Sequence, residues 1–422
     1  MRPAAETERA VGITVYVTEG APCMARAKSQ PGDFVVEEQV EIAGLVQTET
    51  PGYFPLYRVE KRQIDTLHMA EELAETLRSK VSYGGLKDKK AATVQYATPT
   101  SIRASSPKVV ERERFTARLV GYVPRPLSPG AVAGNRFEIT LRECCGDIGK
   151  RIEDAYRLAG ERKLPNFYGL QRFGSTGAGT HRIGKAMVTG RFEEAVRVMI
   201  SEPPKTEGET TGAAAEAVER GNYAAALGLL PPGKDVEALV LRELSRHPAD
   251  WVKALRAVPL KLRRLYVQAY QSAIFNETLS EAIAAGEDIS KLAQGDNWAE
   301  VSEDGLGTSR VMGVRDPPPA RAVPMVQIVG YAFRDYGSRF DSCLSRVLES
   351  EGVRPSQFYL RDMQEVSSEG GFRRPHLAVK SASSEVRAET ASLTFTLGRG
   401  QYATVLLREI IKPDDPALAG LS

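Results

Sequence analysis

The chain changes character twice, and that change limits what it can fold into more than any single motif does. Residues 12–60 carry β-type runs, "GITVYV", "GDFVVEEQVEIAG" and "YFPLYRVEKR", separated by turn residues. From about residue 185 the pattern becomes helical, and a cleanly alternating strand, "LTFTL", returns near the end of the chain. A β-rich unit interrupted by helices and then resumed predicts one domain inserted into another. A length of 422 residues fits two domains or three.

Within this frame the periodicity places elements. "DTLHMAEELAETLRSK" predicts a helix capped by Asp65 or Thr66, with Leu67, Ala70, Leu73, Ala74 and Leu77 on its apolar face. It ends before Gly84-Gly85, so Asp88 is expected on a loop between that helix and the strand "ATVQYA". "RFEITLREC" reads as a strand. "DIGKRIEDAYRLAGERK" reads as a helix capped by Asp147, with Ile148, Ile152, Ala155 and Tyr156 inward, and it leads into a loop, "LPNFYGLQRFGSTGAGTHRIG". "GRFEEAVRVMI" and "GNYAAALGLL" share a Gly-x-aromatic-x-x-Ala pattern, which predicts two similar helical hairpins and no solenoid. Helices are expected to continue through "LRELSRHPADWVKALRAVP" and "RRLYVQAYQSAIFNETLSEAIAAG". Residues 296–340 read as irregular and β-like, broken by prolines at 317–319, and "QYATVLLREIIK" as a closing helix or short strand.

Composition excludes several classes. Apolar content of 42% and charged content of 26% describe an ordinary globular protein, and a net charge of +2 shows no basic excess. A nucleic-acid partner must therefore be read from local patches. Cys23, Cys144, Cys145 and Cys343 make no C-x-x-C pair and the four histidines are scattered, so no metal site is expected and the thiols are expected to be reduced. "MRPAAETERAVG" carries no apolar leader core and no run of about 18 apolar residues occurs, so a cytoplasmic protein with no membrane association is expected.

Four stretches carry candidate chemistry. In "YGGLKDKKAATVQ", Asp88 is surrounded by Lys87, Lys89 and Lys90, with Arg78 and Lys80 nearby. Such a charge run is either a solvated turn or a phosphate-contacting surface with one acid in it. An ordinary aspartate titrates near a pKa of about 3.9, and neighbouring ammonium groups favour its charged form. Asp88 is then available as a nucleophile and is a poor general acid. "GSTGAGTHRIGK" fails as a nucleotide-binding loop, because Lys185 is followed by Ala186 and no strand leads into it. "NFYGLQRFG" gathers Asn166, Phe167, Tyr168, Arg172 and Phe173 between glycines, which suits stacking on a base or equally a packed turn. "AYQSAIFN" places Tyr266, Tyr270, Ala273 and Ile274 at helical spacing and reads as core.

Taken in order, "KSQPGDFVVEE", "GGLKDKKAATVQ", "NFYGLQRFG", "AYQSAIFN", "EGGFRRP" and "LGRGQYATVLLRE" resemble the TruD family of tRNA pseudouridine synthases, by length its archaeal and eukaryotic-like branch. Residues 200–255 carry none of the resemblance. It implies a mixed α/β fold, α+β with a mixed sheet, in a V-shaped two-domain arrangement. The pseudouridine synthase catalytic domain would be discontinuous, residues 1–188 and 377–422, with a TruD-specific α/β domain inserted at 189–376. Asp88 matches the family nucleophile and Lys28 the basic residue paired with it. Phe34, Asn166 and Tyr402 match positions expected to contact the target uridine. Tyr168 matches the aromatic of the Asn loop, and Arg172 is grouped with these as substrate-binding. Gly32 departs from the acidic residue common before Asp33, and Tyr402 is often Phe in relatives.

The implied reaction isomerises a uridine of tRNA, expected at position 13, with no cofactor and no metal, because nothing is oxidised and no energy input is needed. The expected partner is tRNA, and the expected state a monomer. Two other classes use the same loops: a tRNA-binding protein that would not depend on Asp88, and a nucleotide-dependent enzyme built on residues 174–184, which the missing GK[ST] argues against.

Overall fold

The computed structural model describes all residues except 1–2, 31, 41, 43, 86, 88–90, 103–105, 175–178, 202–207, 310 and 312–317, and the structural statements below concern the described residues. Its strands are β1 (Phe34–Val40), β2 (Phe54–Lys61), β3 (Val81–Tyr83), β4 (Ala92–Pro99), β5 (Val109–Glu111), β6 (Phe115–Val123), β7 (Val132–Leu141), β8 (Asn297–Glu300), β9 (Ala322–Ile328), β10 (Gly371–Arg373), β11 (Val379–Arg387) and β12 (Thr390–Gly398). Its helices are α1 (Glu6–Arg9), α2 (Thr66–Leu77), α3 (Ile148–Gly160), α4 (Gly179–Val188), α5 (Phe192–Ser201), α6 (Gly208–Glu219), α7 (Tyr223–Gly228), α8 (Asp235–Arg246), α9 (Trp251–Arg256), α10 (Leu260–Ala284), α11 (Arg339–Glu351) and α12 (Ala403–Ile411).

Among the described residues nine strands form one sheet, in the order β11-β12-β7-β1-β4-β2-β6-β5, with β3 also paired to β4. The β1–β4 pair is parallel and the others are antiparallel, so the sheet is mixed, as expected. Its strands come from both ends of the chain. β12 pairs β7 along eight residues, Ala391↔Leu141 to Gly398↔Gly134, which joins the C-terminal stretch to the N-terminal one. A second sheet, β10-β9-β8, lies in the intervening stretch.

Two large apolar cores follow from this topology. One holds α3, α12 and β7, with Ile148, Ile152, Phe137, Phe395, Leu406 and Ile410 buried together. The other is helical and holds Met187, Val196, Leu241, Leu255, Leu344 and Phe358. The 25-residue α10 belongs to both. Phe275 and Leu279 enter the first core, while Tyr266, Tyr270 and Ile274 enter the second. A helix apolar on several faces must be covered on each of them, which is why "AYQSAIFN" is core, as read.

Several expectations need correction. "GITVYV" is not a strand. Its backbone donors find partners outside any strand: Gly12 and Ile13 N–H donate to the Arg9 and Glu8 carbonyls (both 3.0 Å), Thr14 N–H to Ser280 Oγ (3.1 Å) and Val17 N–H to Glu409 Oε2 (3.1 Å). β3 intervenes between α2 and the Asp88 segment. On α2, Thr66 and Met69 are buried in place of Leu67, which is exposed. Asp65 caps that helix as expected, accepting from the N–H groups of Leu67 and His68. Asp147 caps no N–H of α3; its carboxylate accepts from Arg151 Nε at 2.9 Å.

The stretch "GTHRIG", residues 179–184, is the start of α4 rather than a loop. A Cβ at Gly184 would lie 2.0 Å from the Tyr266 carbonyl oxygen, so glycine is what lets α4 approach α10. The cysteines are not all reduced: Cys23 and Cys145, 122 residues apart, form a disulfide, while Cys144 and Cys343 are free thiols. Among the described residues no helix is long and apolar enough to cross a membrane.

Candidate active site

A cleft of about 340 Å³ opens where β1, β4 and β7 meet the segment leading into α12. Its lining includes Lys28, Phe34, Gly84, Gly85, Lys87, Ala91 and Tyr402. Three residues expected at the site, Lys28, Phe34 and Tyr402, are therefore brought to one surface from positions up to 374 residues apart (402 less 28). Asp88 itself lies outside the described residues, but Gly85, Lys87 and Ala91 on either side of it line the same cleft.

Lys28 sits in a left-handed backbone conformation, φ +60°. For a residue with a Cβ this is strained by roughly 1–3 kcal/mol and persists only where the surroundings enforce it. Here they do. The Ala27 N–H donates to the Ala419 carbonyl (3.0 Å), Arg26 bridges to Arg142, and Cys23 is disulfide-bonded just upstream. The Lys28 ammonium lies 4.9 Å from the centroid of the Phe34 ring, which in turn meets Phe137 edge-on at 6.1 Å. A cation above an aromatic face at the cleft wall is favourable by about 0.5–2 kcal/mol.

Asn166, Tyr168 and Arg172 are not among the lining residues; Tyr168 packs against Tyr402, and Arg172 and, through Arg373, Asn166 are joined to Tyr168. The Tyr168 ring meets Tyr402 at 6.2 Å and Phe275 at 5.4 Å, both edge-on. Asn166 is buried, donates from Nδ2 to the Arg374 carbonyl (3.0 Å) and accepts at Oδ1 from Arg373 Nη2 (2.6 Å). Both ends of its amide are thus used inside the protein. Arg172 donates to Ser272 Oγ (3.3 Å) and Gln268 Oε1 (3.1 Å), with its guanidinium 5.9 Å from the Tyr168 ring.

Sequence reasoning missed the residues that hold this arrangement. Arg373 on β10 is the hub. It donates to Asn166 O (3.0 Å), Asn166 Oδ1 and Gly400 O (2.8 Å), and its guanidinium lies 4.1 Å over the Tyr168 ring. Asn276, fully buried in α10, brackets Tyr168 by accepting from its N–H (2.7 Å) and donating to its carbonyl (3.0 Å). Signals for both existed: "EGGFRRP" pairs two arginines, and "AYQSAIFN" sets polar residues within an apolar stripe, where each needs a partner. His376 bridges to Pro165 at the start of the Asn loop, and burial pushes its pKa down to about 3, so the ring is neutral.

Electrostatics on the other wall also differ from a simple basic patch. The Lys87 ammonium is turned inward to the buried Glu38 carboxylate at 2.5 Å, with little of either side chain exposed. It is not a solvent-facing phosphate contact. Lys89 and Lys90 lie outside the described residues.

The geometry is that of a small cleft with an aromatic wall, a lysine on a strained backbone and a segment entering from a glycine pair. The sequence matches the family described as tRNA pseudouridine synthase D (TruD) over residues 10–410. Among curated relatives, a probable tRNA pseudouridine synthase D of Methanopyrus kandleri is 35% identical, over 85% of this chain and 86% of its own. One from Pyrobaculum neutrophilum is 32% identical over 97% of each. The crystal structure of the putative TruD of Methanosarcina mazei superposes with a TM-score of 0.77 at 26% identity, covering 99% of both chains. The chain belongs to the tRNA pseudouridine synthase D (TruD) family.

Proposed function

We propose that this protein isomerises a uridine of tRNA to pseudouridine in the cytoplasm, as a monomer and without a cofactor, with Asp88 as the nucleophile and position 13 as the target. One observation carries the reading: Lys28, Phe34, Tyr402 and both flanks of the Asp88 segment, scattered along the sequence, line one cleft. The outer sheet unit, residues 1–188 and 377–422, would be the catalytic domain and 189–376 the insert.

The chemistry breaks the N1–C1′ bond, turns the base and joins C5 to C1′. The C5 hydrogen leaves as a proton and N1 gains one, so the product is an isomer and neither oxidant nor energy source enters. The base must first leave its stack, which costs a few kcal/mol. Phe34 and Tyr402 on the cleft wall offer planes to hold it, and stacking on such rings is worth about 1–3 kcal/mol per base. Tyr168 backs the Tyr402 plane, with Arg172 beside its ring and Asn166 joined to it through Arg373, while Phe137 backs Phe34. Asp88 attacks C1′ or initiates a glycal route, and Lys28 keeps it ionised, a charge set in place before the reaction begins.

The test is tritium release from tRNA transcripts labelled at uridine C5, since forming the C5–C1′ bond expels that hydrogen. Wild type should release tritium and Asp88→Asn should bind tRNA without releasing any. Turnover by Asp88→Asn would overturn the assignment of the nucleophile. Binding without release by wild type would favour a non-catalytic tRNA-binding protein. A transcript with cytidine at position 13 reports the site.

A further inference from the structure

β4 changes partners along one edge, and a buried carboxylate fills the gap. β4 pairs β1 through Ala92–Val94 and β3 through Ala97–Pro99, both on the edge away from β2. Between these stretches the Tyr96 N–H has no strand opposite it, and Glu38 Oε2 accepts from it at 3.0 Å. Glu38 is buried on β1, and a charge there requires a partner. Lys87 Nζ supplies it at 2.5 Å.

The rest of Lys87 is held as well. Its N–H donates to Thr66 Oγ1 (2.9 Å), and that hydroxyl donates to Gln95 Oε1 (3.1 Å). Its carbonyl accepts from the buried Lys61 Nζ (3.4 Å). Three elements, β1, α2 and β2, thus grip one residue by its ammonium, its N–H and its carbonyl, and β4 holds two of the gripping side chains through Tyr96 and Gln95. The glycine pair makes room for this: a Cβ on Gly84 would lie 2.2 Å from Val132 Cγ2 and 3.5 Å from the Glu38 carboxylate.

We propose that the buried Glu38–Lys87 pair is a positioning device for the reaction, fixing the backbone from which Asp88, the next residue, follows. The proposal rests on the pseudouridine synthase reading and adds Glu38 and Lys87 as positioning residues. Lys87, neutralised by Glu38, is not the counter-cation of Asp88; that role stays with Lys28. A misplacement of about 1 Å at a reacting group can slow a reaction on the order of 100-fold, so loosening this grip should act on the chemical step.

The experiment compares wild type, Glu38→Gln and the double variant Glu38→Met/Lys87→Met in single-turnover tritium release, tRNA binding and thermal unfolding. Removing one charge alone can unfold a protein, whereas replacing both with apolar side chains of similar length is often tolerated, so the double variant keeps the test open. The expected result is tRNA affinity within about twofold of wild type and single-turnover release at least tenfold slower. Release at the wild-type rate by the folded double variant would overturn the proposal. So would a rate loss that disappears at saturating tRNA, because the pair would then serve binding. Failure of wild type itself to release tritium would count against the enzyme reading and is distinguished by that control.

Discussion

The two walls of the cleft are held by different physics. The wall of Gly84, Gly85 and Lys87 is built against the large sheet, where an ion pair to the buried Glu38 and two backbone hydrogen bonds lock Lys87, and the Tyr96 N–H holds Glu38. The wall of Tyr402 is assembled from three separate stretches, residues 166–173, β10 and α10. One guanidinium, Arg373, and one carboxamide, Asn276, join them. The first wall is a charge pair that must stay matched. The second is a set of neutral rings that must stay packed edge to face, with a cation as their clamp. A buried charge pair resists conservative change poorly, while packed rings tolerate any replacement that keeps their planes.

The contrast is broken most directly at Arg373. Arg373→Ala removes hydrogen bonds to Asn166 and Gly400 and the cation from over Tyr168. Hydrogen bonds involving a charged group are worth about 1.5–3 kcal/mol each and a cation–π contact about 0.5–2 kcal/mol, though such contributions do not add in full. We expect a destabilisation of about 3 kcal/mol in denaturant unfolding and a loss of tritium release of at least about 100-fold. Arg373→Lys should restore little of either, because an ammonium cannot make the forked contacts. A rate within twofold of wild type for Arg373→Ala would mean that the aromatic wall stands without its clamp.

Acid should find the same wall. His376, at the foot of the Asn166 loop, has its pKa pushed down to about 3 by burial, against about 6.5 when unfolded. Between those values the unfolded chain binds the proton and the folded one does not. The stability is therefore fully present above pH 6.5 and is lost as pH falls toward 3. From pH 7 to pH 5 this one ring should account for about 2 kcal/mol, before most carboxylates begin to titrate. Unfolding curves of wild type and His376→Gln at both pH values check it: the drop should shrink in the variant. An equal drop in both would assign the acid sensitivity elsewhere.

How much of this was legible in the sequence depends on how locally each feature is encoded. β1, β2, β7, β12, α3 and α10 carry their own periodicity and were readable. β11 was missed because "VKSASSEVR" is an edge strand exposed almost throughout, so no face carries an apolar pattern. The disulfide was missed because nothing about Cys23 and Cys145 signals that a sheet brings residues 122 apart together. At the site, the residues inside short motifs could be named, but what grips them could not. Arg373 reaches Asn166 across 207 residues, Asn276 reaches Tyr168 across 108 and Glu38 reaches Lys87 across 49. Separations of that size are set by the fold and leave no spacing in the sequence.

The smallest effect is expected at Tyr402, and it sharpens the contrast from the tolerant side. Its ring lines the cleft and meets Tyr168 edge-on at 6.2 Å. If the wall works through planes, Tyr402→Phe keeps the ring and its contact, and tritium release should stay within about threefold of wild type. Tyr402→Ala removes the plane. An aromatic pair is worth about 0.5–1.5 kcal/mol and base stacking about 1–3 kcal/mol, so a loss of tenfold or more is expected at about 1.4 kcal/mol per decade. Phe and Ala variants falling equally would show that the hydroxyl, and not the plane, is what the wall contributes. The aromatic wall would then depend on one matched polar group, as the lysine wall does, and the distinction between them would fail.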